Sequence, residues 1–198
     1  MASRTKYPTV TLDENEMAFA GSIGVARQTR NMLLGKKDAH GTSPDQQWEM
    51  HVRGALGEIV LAKHLGVLWN GDPGDPDAHD VAGYYQVRAA YNEKDSLLLH
   101  RKDEKKGDAP FVLVTGKGPS FGLRGWFLYR EAKGVDRYRD DPSKRGGGPS
   151  RPCLSVPIDD LHEMSTLEEK PWGPCRSYSI HEEWLRVMPF LYRKSLPF

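Results

Sequence analysis

Asp80-Val81-Ala82-Gly83-Tyr84-Tyr85-Gln86-Val87-Arg88 is the stretch on which the fold turns. Gly83 supplies a tight turn, so Asp80 ends one short strand and Tyr84–Tyr91 forms the next. Strand side chains alternate: Tyr84, Gln86 and Arg88 share one face, and Tyr85, Val87 and Ala89 the other. The turn is expected to bring Asp80 beside Gln86. Further strands are expected on both flanks of Tyr84–Tyr91, which makes it central. Two polar side chains inside such a strand must then look into a cleft or at a charged partner.

Downstream the period stays near two. Leu97–His100, Phe111–Thr115, Gly125–Tyr129 and Cys153–Val156 read as strands. Upstream it is helical. Tyr7–Leu12 is a short strand, and Thr11-x-x-Glu14 resembles a capping box opening a helix that carries Met17, Ala20, Ile23, Val25 and Leu33. A second helix starts at Ser43 as N-cap, with Pro44 at its first position and Gln46 three residues after the cap, and stops at Gly66. Its apolar stripe is Trp48, Val52, Ala55, Leu56, Ile59 and Ala62. Residues 70–77 and 136–152 are Pro-, Gly- and Asp-rich and read as loops. Ser179-x-x-Glu182 marks a last helix. Helices followed by strands give an α+β class. The expected unit is one domain over residues 1–198, with a core of about 10–160 and an aromatic-rich C-terminal extension of about 161–198.

Glu58 lies at the edge of the second helix's apolar stripe, near His51 and Gly54. A carboxylate facing a packed interior needs an ion pair, hydrogen bonds or a metal. An arginine partner or a snorkelling edge position is one reading, and a Glu58–Arg88 pair with Gln86 as hydrogen-bond filler is the specific form of the ion pair. A metal site is the other.

An acidic residue on a helix, an Asp at a strand end and a polar-x-basic triplet on the next strand resemble the PD-(D/E)xK nuclease superfamily. The layout Gly54-Ala-Leu-Gly-Glu58, Asp80-Val81, Tyr85-Gln-Val-Arg88, Phe111-Val-Leu-Val-Thr-Gly116 and Arg124-Gly-Trp126 is also similar to uncharacterised proteins encoded by bacteriophages. The resemblance implies a restriction-endonuclease-like mixed sheet flanked by helices. It also implies phosphodiester hydrolysis with Mg²⁺ or Mn²⁺. By position, Glu58 and Asp80 would be metal ligands, Gln86 an altered third ligand, and Arg88 an altered catalytic lysine. Val87 would offer its carbonyl. Only part of the family's α-β-β-β-α order is matched, since its second helix has no clear counterpart. Gln offers a neutral oxygen, as in the type IV restriction branch. Arg holds a phosphate well but does not readily give up or accept a proton. The alternative is a nuclease scaffold that no longer cuts and binds nucleic acid or a host protein, as an anti-defence or regulatory factor would.

The charge pattern bears on the partner. Across 198 residues, 28 Lys+Arg face 27 Asp+Glu. The excess is local. Residues 124–151 hold Arg124, Arg130, Lys133, Arg137, Arg139, Lys144, Arg145 and Arg151 against four acids, eight minus four leaving +4. With Tyr129 and Tyr138 among them, this suits a nucleic-acid backbone with stacked bases, DNA before RNA; a solvated charged face is the other reading. Residues 157–170 are acidic. No membrane span or secretory signal is evident, so the cytoplasm is expected, that of the host cell if the chain is phage-encoded. A homo-oligomer or a host protein partner is compatible with the aromatic tail. The two cysteines form no metal or disulfide pattern, the histidines have no zinc spacing, and no P-loop occurs.

Overall fold

The computed structural model describes residues 7–36, 43–71, 78–139 and 152–167. The first strand, β1, is Thr9–Thr11, and helix α1 follows at Glu14–Leu33. Its cap is Asp13, not Thr11: the Asp13 carboxylate accepts the Glu16 N–H at 2.9 Å, and Glu16 accepts the Asp13 N–H at 2.8 Å. The box is shifted by two residues because Thr11 belongs to β1, its hydroxyl hydrogen-bonded to that of Ser120 at 2.8 Å, so Asp13 is the next acceptor with a glutamate three residues on. Helix α2 spans Pro44–Leu65 with the Ser43/Gln46 box as expected. It ends at Gly66, whose φ of 66° needs no Cβ to be accommodated.

Strands β2 (Gln86–Ala90), β3 (Leu97–His100), β4 (Pro110–Thr115), β5 (Ser120–Leu128) and β6 (Cys153–Val156) follow, with a short helix α3 (Tyr129–Lys133) after β5. One mixed sheet has the order β1-β5-β4-β2; β2 runs parallel to β4, and β4 and β1 are antiparallel to β5. The α+β class is therefore observed. The centre is β4, every residue of which is buried, whereas β2 ends the sheet. The expectation that β2 is central fails because β3 leaves the sheet and pairs with β6.

Alternation along β4 divides the interior in two. Val112 and Val114 join Ala55, Ile59, Val60 and Leu123 beneath the helices. Phe111 and Leu113 turn the other way, onto Leu97, Leu99, Phe127 and Val156. The layers are thus α1 and α2, the four-stranded sheet, and the β3–β6 ribbon with α3. Glycine sets the spacing between layers. A Cβ on Gly57 would stand 2.9 Å from the Ala89 Cβ and 3.0 Å from the Val87 Cγ1, so α2 rests on β2. At Gly24 the same atom would be 2.4 Å from the Val52 Cα, so α1 and α2 touch backbone to backbone.

In β5, Leu123 faces Val114 and Gly125 faces Leu113, which leaves Arg124 as the extra residue of a bulge. The expected helix at 179–182, Cys175 and the tail aromatics lie outside the described residues, as do 140–151 and 72–77. Among the described residues no helix is long and apolar enough to cross a membrane, and Cys153 is buried.

Candidate acid pair and its surroundings

The α2 face that Gly57 seats on the sheet carries Glu58 next to it, and Glu58 is 5% exposed. Its partner comes from α1. Arg27 donates through one guanidinium nitrogen to Oε1 at 2.5 Å and through the other to Oε2 at 2.8 Å, a two-pronged pair. The indole N–H of buried Trp69 donates to Oε2 at 3.0 Å, and Phe19 meets Trp69 edge-on with ring centroids 5.3 Å apart. An arginine partner for Glu58 was expected, but not this one.

Asp80 enters from the turn. Val81 pairs with Tyr85 across Ala82 and Gly83, both at positive φ, and the Asp80 Oδ2 accepts the Val87 N–H at 2.8 Å. The tight turn read from Gly83 is thus present, but it is closed by a single bridge and the expected strand ending at Asp80 does not form; β2 begins only at Gln86, and the Asp80 carboxylate is half-buried. Burial pushes both acids above the usual carboxylate range. For Glu58 the Arg27 fork opposes that rise and the Asp80 charge adds to it. For Asp80 the Val87 hydrogen bond opposes it first, then the positive charges of Arg88, Arg27 and Lys106. The Asp80 charge thus reaches Glu58, while the Arg27 guanidinium is hydrogen-bonded to Glu58 and its charge is felt by both.

Gln86 and Arg88 do not join this pair. Val87 and Ala89 lie against Gly57 under α2, so alternation turns Gln86 and Arg88 to the opposite face. Gln86 is buried, its amide nitrogen 3.2 Å from the His79 Nδ1 and donating to the Tyr85 carbonyl at 3.3 Å. Arg88 donates to the Asp103 Oδ2 at 2.7 Å, lies 5.0 Å from the Phe111 ring centroid, and donates to the Val87 carbonyl at 3.0 Å. The expected Glu58–Arg88 pair is replaced by two pairs, Glu58–Arg27 and Arg88–Asp103, one on each face of β2. The physical cause is that α2 covers the Val87 face.

The basic stretch also differs from expectation. The Arg124 side chain is only 2% exposed. It donates to the Thr115 hydroxyl at 2.6 Å, pairs with Glu93 at 3.2 Å and stacks 3.6 Å from the Tyr7 ring centroid. It is a packing residue of the bulge and cannot meet a nucleic acid in this conformation. Tyr129 and Tyr138 are buried in the second core and offer no stacking face. Arg130, Lys133, Arg137 and Arg139 are exposed, paired with Asp108, Glu104, Asp160 and Asp136. Part of the acidic stretch therefore neutralises part of the basic one. Lys144 and Arg145 lie outside the described residues.

Arg27, Trp69, His79 and Lys106 were not read from the sequence as site residues. A signal for Arg27 existed: Ala20, Gly24, Arg27, Gln28 and Asn31 recur at helical spacing. That stripe faces α2, where Gln28 donates to Gln47 at 3.0 Å and Asn31 meets the His51 Nε2 at 3.1 Å. Burial and the Arg27 charge lower the His51 pKa.

Chemically, Glu58 and Asp80 offer hard oxygen donors. Mg²⁺ commonly takes one or two carboxylates and completes its shell with water and substrate phosphate. Among the described residues no three His, Cys, Asp or Glu side chains converge, so they form no all-protein metal cage. Comparison of the chain with family models, with curated proteins and with solved structures finds no match.

Proposed function

We propose that this chain is a restriction-endonuclease-like scaffold that hydrolyses nucleic-acid phosphodiesters with Mg²⁺ or Mn²⁺, DNA before RNA, in the cytoplasm. The observation that carries the reading is two carboxylates kept despite the cost of burial: Glu58 on a helix, 5% exposed, and Asp80 in the turn before Gln86-Val87-Arg88, held by the Val87 N–H, with the Asp80 charge reaching Glu58. Glu58 and Asp80 would hold the ion, which when bound would activate water and polarise the phosphodiester. Trp69 fixes the Glu58 carboxylate, and the Val87 N–H fixes that of Asp80. Arg130, Lys133, Arg137 and Arg139 would meet the phosphate backbone; exposed ion pairs are worth only about 0–1 kcal/mol, so phosphates can replace their acidic partners.

A second reading has its own observation. Gln86 and Arg88 are turned away from the acid pair, which favours a nuclease fold that binds nucleic acid or a host protein without cutting. Incubation of plasmid DNA and RNA with the purified chain and Mg²⁺ or Mn²⁺ separates the two. Cleavage abolished by both Glu58→Gln and Asp80→Asn supports hydrolysis; cleavage that both variants retain, or none with wild type, refutes it.

A further inference from the structure

We propose that Arg27 is an exchangeable counter-ion: it and a divalent cation compete for the carboxylate of Glu58, so that metal loading requires Arg27 to withdraw. This rests on the reading of Glu58 and Asp80 as a metal pair.

The argument begins with lone pairs. Each carboxylate oxygen has two acceptor sites. Glu58 Oε2 spends both, on Arg27 and on Trp69, and Oε1 spends one on the other arm of Arg27. An Mg²⁺ ion bonds oxygen at about 2.0–2.1 Å. Taken up by the Glu58 carboxylate, it would place two positive charges beside a guanidinium that is itself within hydrogen-bond distance of both Glu58 oxygens. The Glu58 side chain is 7% exposed and that of Arg27 20% exposed, so water screens this repulsion poorly.

Trp69 and Arg27 differ in what they can do. Trp69 is a rigid, buried donor close to α2 in sequence. Arg27 reaches across from α1 on a flexible stem. The seam between α1 and α2 is polar, with Gln28–Gln47 and Asn31–His51 beside it, so a displaced guanidinium has hydrogen-bonding surroundings to enter. Arg27 therefore balances the acid pair in the metal-free chain and gives way when a stronger charge arrives.

Mn²⁺ titration followed by the electron paramagnetic resonance of the free ion tests this, on the full chain as wild type, Arg27→Met and Arg27→Lys. Arg27→Met is expected to bind Mn²⁺ at least about tenfold more tightly than wild type, with Arg27→Lys between them because a single ammonium cannot hold both oxygens. Thermal melts give a second readout: metal-free Arg27→Met melts lower than wild type, and saturating Mn²⁺ raises it by more. Arg27→Met that is folded by circular dichroism and binds no more tightly than wild type overturns the proposal. If Arg27→Met does not fold, Arg27→Lys binding no more tightly than wild type overturns it equally. Failure of wild type and of both folded Arg27 variants to bind Mn²⁺ at millimolar concentration refutes the metal pair itself, a result distinct from the other two.

Discussion

Arg88→Met separates a structural arginine from a catalytic one. Arg88 donates to Asp103 at 2.7 Å, and the Asp103 side chain is only 3% exposed. Asp103 also accepts the His100 N–H at 2.8 Å. Removing Arg88 leaves a buried carboxylate with its charge unmatched, a change that costs about 3–5 kcal/mol in deep sites. Arg88 is itself a quarter exposed, so water can reach the vacated side and about 2–3 kcal/mol is the better figure. For a chain of this size, 1 kcal/mol corresponds to about 2–4 °C in Tm, so calorimetry should show a fall of about 4–12 °C. The double variant Arg88→Met/Asp103→Asn should recover at least about 1 kcal/mol relative to the sum of the single changes. Arg88→Met within about 0.5 kcal/mol of wild type, with cleavage or nucleic-acid binding lost, would refute the assignment and return Arg88 to the site.

Other tests follow from particular residues. Gly24→Ala places a Cβ 2.4 Å from the Val52 Cα; backbone cannot turn aside, so urea unfolding should show a loss of about 3 kcal/mol, the top of the overpacking range. The raised carboxyls of Glu58 and Asp80 bind protons more tightly folded than unfolded, so stability should fall as pH rises from about 4 through their raised values. Asp80→Asn keeps an acceptor for the Val87 N–H and should flatten that pH dependence in thermal melts. The combined change Arg130→Ala/Lys133→Ala removes exposed pairs only; it should leave Tm nearly unchanged while lowering the salt dependence of DNA affinity, by a slope of about 0.9 for each phosphate the variant no longer neutralises.

Much of this was legible in the sequence where local chemistry decides. The Ser43 box, the Gly66 stop, the Gly83 turn and strands β3 and β6 follow from residues within a few positions of one another. Glu58 and Asp80 stand out because a carboxylate beside an apolar stripe and another beside a turn are locally conspicuous. Their surroundings are not local. Arg27 reaches Glu58 across 31 positions and Arg88 reaches Asp103 across 15, and each choice depends on which face of β2 the α2 helix covers. That face is set by Gly57, a residue whose role appears only once the sheet is beneath it. Arg124 misled for a similar reason. Among basic neighbours it looks solvated, yet the bulge in β5 turns it inward onto Thr115 and Tyr7.

The most direct measurement is calorimetric titration of Mn²⁺ into the wild-type chain, Glu58→Gln and Asp80→Asn. One ion per chain in wild type, with binding weakened by at least about tenfold in each variant, is the predicted result. Absence of binding to wild type, or binding that both substitutions leave unchanged, would contradict the claim that these two carboxylates form a metal site.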